Sequence, residues 1–309
     1  MLIDSILLLI LFLLLGWAAD LVVVNLRATG AKLGIKVFFL GLLLGLFTSA
    51  PETALGINSL INNIESVSVG NLLGGIMVIF GLVLGLSIIL NRKIRTDGKI
   101  THIIPVFFYL FLTLVLGLDN VYSFIDGVLL ILGYVGLVVL MYYTKGGHEM
   151  VILEKVEKKE ILRHLFKIIL GLIAVVVVSH YIIDVSVDLL TRLKLSQFFI
   201  GTMIFAIGTN LPEIIITLRS WRRHLSELSI SHLIGSAIAN PLVIGILASF
   251  KSLTIDSGQS FILLSVFLLM LFGLLAIFYK TDNRLSRVEG VVLLLVYLAF
   301  LFTEIYLVS

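Results

Sequence analysis

Two glutamates, Glu52 and Glu213, lie inside long apolar stretches, and each directly follows a proline, Pro51 or Pro212. A charged side chain at the centre of a membrane helix costs about 2.5–3.5 kcal/mol on insertion scales. A bound cation, a proton or a basic partner can offset that cost. No Lys or Arg falls near the middle of either stretch, so cation ligation or proton carriage is the chemistry these acids suggest. The oxygen supply around them suits a hard cation such as calcium, which takes roughly six to eight oxygens. Thr48 and Ser49 precede the first glutamate, and Thr209 and Asn210 precede the second. Asn71, Ser236 and Asn240 lie in the apolar stretches that follow. Proline removes a backbone donor and clashes with the preceding turn. Both helices are therefore expected to kink or break, freeing carbonyls near Thr48 and Thr209, which is tolerated at membrane depth only beside protein or a polar cavity. When ionised, the two acids carry two negative charges. One divalent ion balances them as well as two monovalent ions or two protons, which is a physical basis for exchange.

The elements that must position these residues are membrane spans. Apolar residues make up 60% of the 309-residue chain and charged residues only 13%, against about 25% charged in a soluble domain. A span needs roughly 20 mostly apolar residues. Ten stretches qualify, at 3–25, 36–61, 66–90, 101–118, 121–143, 164–190, 197–219, 226–250, 258–279 and 287–307. The first lacks the basic start and cleavage site of a signal peptide and is expected to remain as a span. Cysteine is absent, which removes disulfides, thiolate metal sites and cysteine nucleophiles. No H-E-x-x-H, phosphate loop or acidic metal cluster is present, so an enzyme is not expected and no cofactor is implied.

Eighteen of the 22 Lys and Arg fall in the odd-numbered loops, and only Arg192, Lys194 and Lys251 fall in the even ones. By the positive-inside rule the odd loops are cytoplasmic and both termini lie outside. Topology accounts for the basic loops, and nucleic acid is not an expected partner; membrane lipid and small inorganic cations are. One long polar stretch divides the chain. The predicted units are a first five-helix repeat at 1–143, a cytoplasmic connecting loop at 144–163 and a second five-helix repeat at 164–309. Phe38-Phe39-Leu40-Gly41 matches Phe198-Phe199-Ile200-Gly201, 160 positions on. Thr48-Ser49-Ala50-Pro51-Glu52 matches Thr209-Asn210-Leu211-Pro212-Glu213, 161 positions on. Five spans per half is an odd number, so the second half enters from the opposite side. The predicted fold is all-α and integral to the membrane, with ten helices in two inverted repeats and helices two and seven broken. Such repeats are common in secondary transporters, whose site lies near the midplane.

At these residues the sequence resembles the sodium/calcium exchanger family of the calcium:cation antiporter superfamily. The family pattern is close to G-T-S-x-P-E in one helix and G-N-x-x-G-S in the next. Here the first half reads Phe47-Thr48-Ser49-Ala50-Pro51-Glu52 with Gly70-Asn71-Leu72-Leu73-Gly74-Gly75. The second reads Gly208-Thr209-Asn210-Leu211-Pro212-Glu213 with Ser231-His232-Leu233-Ile234-Gly235-Ser236. The resemblance implies exchange of calcium for sodium or protons by alternating access, with spans one and six sliding against the other eight. It implies Glu52 and Glu213 as central calcium ligands, carbonyls from Thr48 and Thr209, and Ser49, Asn210, Ser236 and Asn240 completing calcium or sodium sites. Asp20 and Asp184 fall where the family carries acids in spans one and six. The chain departs from the pattern at Ile79, Gly75 and Phe47, where the family places a polar residue, a serine and a glycine. The first half is thereby poorer in oxygen, and the alternative reading is a non-transporting or altered-substrate relative that keeps the fold as a structural or regulatory protein. His180 and His232 also depart from it. Both are expected to be buried and hydrogen-bonded, with proton coupling as the alternative. His102, His148, His164 and His224 lie near loops and carry no expected role. Without organelle signals, the expected location is a prokaryotic cell membrane.

Overall fold

The computed structural model describes residues 2–32, 46–47, 49–91, 93–95, 103–145, 158–193, 195–211, 213–214, 230–280 and 284–308. Of the residues singled out above, Phe38 to Gly41, Thr48, His102, His148, Lys194, Pro212 and His224 lie outside these, as do the side chain of His232 and most of the connecting loop. The described chain is almost wholly helical. Its helices are α1 (Leu2–Lys32), α2 (Ala50–Ile61), α3 (Glu65–Asn91), α4 (Ile104–Leu116), α5 (Phe124–Lys145), α6 (Lys158–Leu193), α7 (Gln197–Thr209), α8 (Ile230–Ala248), α9 (Gly258–Phe278) and α10 (Arg287–Val308). Among the described residues, six helices are long and apolar enough to cross a membrane, in α1, α3, α5, α6, α9 and α10. The apolar helices of α4, α7 and α8 are shorter. The helical membrane architecture is as the sequence predicts, with six helices rather than ten reaching crossing length within the described residues.

The helices sort into a central body and a flanking pair. α3 is the centre, with every residue from Glu65 to Met77 buried. Side chains of α4, α5, α8, α9 and α10 pack around it in one large apolar core. A second apolar cluster joins α1 and α6 to α2 and to one face of α7. The outer faces of α1 and α6 expose Ile10, Leu14, Trp17, Phe166, Ile169 and Ile173. A chain with so little charge has no use for such faces in water; they suit lipid. α3 and α7 cross in backbone contact. A Cβ on Gly70 would lie 2.4 Å from the Phe198 carbonyl oxygen, and one on Gly201 would lie 2.4 Å from that of Val67. Small residues permit this closeness where membrane helices pack.

The loops add what an all-α expectation omits. β1 (Lys93–Arg95) pairs antiparallel with β4 (Arg284–Ser286), and β2 (Val121–Tyr122) pairs with β3 (Leu253–Thr254). Each ladder joins loops of one parity: β1 and β4 are in odd loops, β2 and β3 in even ones. α4 and α9 each run from one ladder towards the other. Even loops also meet through side chains. Lys251 pairs with Glu65 and donates to Asn63 Oδ1 at 2.8 Å. Asp256 accepts from Ser66 Oγ at 2.7 Å and from the backbone N–H groups of Gln197 and Phe198. A carboxylate on these orphan N–H groups anchors the start of α7, where the helix dipole favours negative charge. Asn63 and Asn120 turn the chain at φ 57 and 66, a conformation asparagine tolerates.

Candidate functional site

Of the kink or break expected in the first segment, the described residues show a break just before the proline. Pro51 is in the first turn of α2, where its missing N–H costs no ladder bond. The departure from helical geometry falls just before it, at Ser49, with φ −84 and ψ 11. Asn210, 161 positions on, has φ −88 and ψ 10 at the end of α7. The hydrogen bonds that follow also match. Thr53 N–H donates to the Ser49 carbonyl at 2.9 Å, and Ile214 N–H donates to the Asn210 carbonyl at 3.1 Å. Both glutamates are thus delivered three residues beyond the same backbone turn.

Glu52 and Glu213 are each 3% exposed. They are close enough for the charge of one to act on the other. Oε2 of each is buried with no hydrogen-bond partner among the described residues. The described ion pairs lie elsewhere, between Glu65 and Lys251, His180 and Asp184, and His164 and Glu160. Buried polar atoms are normally satisfied, so these two partnerless carboxylate oxygens mark the candidate site.

Neutral polar groups complete the surroundings. Thr209 Oγ1 donates to Asn71 Oδ1 at 3.1 Å, and its side chain lies near Glu52. Asn71 is fully buried, and its Nδ2 has no partner among the described residues. Asn210 Nδ2 donates to the Ala206 carbonyl and Asn240 Nδ2 to the Leu72 carbonyl, both at 2.8 Å. With those nitrogens committed to backbone, the amide oxygens are the groups left to offer a cation. Ser236 and Asn240 lie four residues apart on α8, hence on one face, and both are buried. Ser49 is buried at the start of α2. The site set so described is Glu52, Glu213, Ser49, Thr209, Asn210, Ser236 and Asn240. The described residues contain no group of three His, Cys, Asp or Glu, so any cation here would rest on two carboxylates and neutral oxygens.

The departures in the first half have structural counterparts. A Cβ on Gly75 would lie 2.8 Å from Asn240 Nδ2 and 3.2 Å from Asn210 Nδ2. The room a serine would need is filled by amides from the second half. Ile79 is 1% exposed and belongs to the large apolar core. Phe47 is half-buried.

Several features escaped the sequence reading. His180 is not buried: its side chain is 57% exposed and faces Asp184 at 3.5 Å along α6. His164 has a definite partner, with Nδ1 2.7 Å from Asn25 Oδ1, joining α6 to α1. Pro241 sits inside α8 beside Asn240, and the Ala237 carbonyl thereby loses its ladder donor. Glu304 on α10 is fully buried, and neither of its oxygens has a hydrogen-bond partner among the described residues. A proline and an acid inside apolar stretches are legible signals for the last two. Nothing in the sequence points to the His164 contact.

A sequence model of the family described as sodium/calcium exchanger protein matches residues 4–143 and 164–306. A membrane protein of Methanocaldococcus jannaschii is 27% identical over 291 residues, covering 92% of each chain. The solved structure of the sodium-calcium exchanger NCX_Mj superposes with a TM-score of 0.67 at 26% identity, covering 97% of this chain and 98% of the other. The crystal structure of the H+/Ca2+ exchanger CAX superposes with a TM-score of 0.77 over 99% of this chain and 84% of the other. At 16% identity that likeness is one of fold.

Proposed function

Because the chain belongs to the sodium/calcium exchanger family, a family of membrane transporters and not of enzymes, we propose that it exchanges calcium, or a related cation, for sodium or protons. The carrying observation is the pair of buried glutamates at matched backbone turns, each with an orphaned Oε2. Glu52 and Glu213 are the charged ligands. Carbonyls of Thr48 and Thr209 and the side chains of Ser49, Asn210, Ser236 and Asn240 supply neutral oxygens. The cargo is a small inorganic cation, and no resident cofactor is needed. With the cation gone, two like charges would share a dry site, and loading sodium or protons relieves them. A charged empty site is the costly one to move, and that cost couples the two fluxes.

The frame of this proposal is ten helices in two inverted repeats, 1–143 and 164–309, joined by a cytoplasmic loop at 144–163. Both termini lie outside, in a prokaryotic cell membrane. Two observations support the repeat. The turns at Ser49 and Asn210 superpose in backbone angle. The ladders also exchange under it, since β1 and β4 correspond to β3 and β2 when the halves are swapped. NCX_Mj supports sodium as the coupling ion by family; the orphaned carboxylates suit protons equally.

Ile79 in the apolar core and Gly75 under the two amides favour a second reading, a relative with the exchanger fold and no transport. The deciding experiment is calcium flux into proteoliposomes under imposed sodium and proton gradients. Flux that follows one gradient and is lost in Glu213→Gln supports exchange and names the coupling ion. No flux under either gradient, from protein shown to be folded, supports the second reading.

A further inference from the structure

Glu304 lies in the last turns of α10 and has no exposed surface. Neither of its carboxyl oxygens has a hydrogen-bond partner among the described residues, and none of the described ion pairs reaches it. The side chain of Ser260 on α9 lies near it and is also buried. Ser257 Oγ donates to Ser260 Oγ at 3.0 Å. The Ser260 hydroxyl proton has no acceptor among the described residues and is free to turn towards Glu304. Ser257 is half-buried, so two hydroxyls lead from the surface of the even loop before α9 to the acid. The other direction is closed. Phe267 of α9 and Phe300 of α10 pack edge to face, with ring centroids 5.7 Å apart, one turn of α10 deeper than Glu304.

A buried carboxyl without a partner needs a counter-charge or a proton. A hard cation such as calcium takes about six to eight oxygens, and the described neighbours add only two hydroxyls. Ser260 is also in the first turn of α9, where the helix dipole repels a cation. A proton needs one oxygen, so it is the occupant that fits. The same helix end favours the carboxylate once the proton has gone, so the proton can leave as well as bind. Few other charges bear on the position. From Gly258 to Phe278, α9 has no Asp, Glu, Lys, Arg, His or Tyr. On α10, Tyr297 shares the face of Glu304 two turns back, and Tyr306 is exposed. Asp256, just before α9, is held by Ser66 and the N–H groups of Gln197 and Phe198. Asp119, in the other even loop, is exposed and accepts from the Val121 N–H. The residues 161 positions before Ser260 and Glu304 are Lys99 and Tyr143, so this pair has no counterpart in the first half, unlike Glu52 and Glu213.

We propose that Glu304 is a proton-binding site separate from the Glu52–Glu213 pair, loaded from the even-loop face through Ser257 and Ser260. In loading, the Glu304 carboxylate takes the Ser260 hydroxyl proton, Ser260 takes that of Ser257, and Ser257 takes one from water. Release runs the same steps in reverse. α10 is part of the central body, so this proton stays with that body and reports the acidity at one face. The inference stands independently of the reading of Glu52 and Glu213 as the ion site.

The test is infrared difference spectroscopy of the full-length protein in detergent, where the carbonyl stretch of a protonated carboxyl stands apart from the amide bands. The parent spectrum minus that of Glu304→Gln should show one protonated-carboxyl band, and the band should fade as the pH is raised. Glu304→Asp, which keeps the acid, should keep a band at a shifted frequency and gives the assignment a second variant if the first does not fold. Transfer to heavy water shifts the band as deuterium replaces the proton. That shift should slow by about tenfold or more in Ser260→Ala, where exchange must wait for local opening, and keep the parent rate in Ser260→Thr, which retains the hydroxyl. A difference spectrum with no carboxyl band at any pH would overturn the proton site. A band abolished at constant pH by sodium or calcium would put a metal ion there and overturn it equally. Unslowed exchange in Ser260→Ala would overturn the path through the serines.

Discussion

The two halves reach the site with the same backbone and different side chains. Ser49 and Asn210 hold nearly identical backbone angles, and each precedes its glutamate by three residues. Around that shared frame the pairs diverge: Phe47 against Gly208, Gly75 against Ser236, Ile79 against Asn240. In each of the last two, the second half carries an oxygen-bearing side chain and the first half does not. The amides of Asn210 and Asn240 then reach across and occupy the room above Gly75. On the proposed repeat, main-chain geometry and one carboxylate per half are kept, while the oxygen-bearing side chains gather on one side.

The largest effect expected concerns what the halves share. Glu52→Gln and Glu213→Gln should each lower calcium flux by about 100-fold or more, because ligand charge sets the affinity of such sites over orders of magnitude. A loss confined to one of them would break the equivalence of the halves. Gly75→Ser tests the divergence. If it merely restored a missing ligand, flux would rise. Its Cβ would instead strike the two amides, and flux should fall by about tenfold, the scale of disturbing groups that orient ligands. Ile79→Asn should not speed flux either. It places an amide in apolar core and should cost about 1–3 kcal/mol in unfolding free energy, seen as a lower melting temperature in detergent. The smallest effect is expected at Asp256, which has no acidic counterpart in the first half, where Arg95 stands 161 positions earlier. Asp256→Ala should cost about 1 kcal/mol, as for a lost helix cap, with flux reduced but measurable.

The membrane class, six of the spans and the two buried acids could be read from the sequence because each is a local contrast: an apolar run of sufficient length, or a carboxylate within one. The expected kink or break takes the form of a break at Ser49, because proline fits the first turn of the helix that follows. What could not be read is who meets whom across the bundle. α3 is buried on almost every side and α10 on few, yet both are uniformly apolar, so periodicity separates no faces. The pairing of β1 with β4 spans about two thirds of the chain, and three-residue strands leave no pattern. The filling of the Gly75 space by Asn240 and the bond of His164 to Asn25 are both contacts between distant segments. They depend on helix crossings that composition does not encode.

Calcium held between Glu52 and Glu213 should stabilise the purified protein, and its melting temperature across a calcium titration is the measurement to make. A ligand that binds only the folded state raises the melting temperature as its concentration passes its dissociation constant. A calcium-dependent rise is expected in the parent protein and in Glu304→Gln, and none in Glu52→Gln or Glu213→Gln. An undiminished rise in both of those variants would place the calcium elsewhere and rule out a site between the two glutamates.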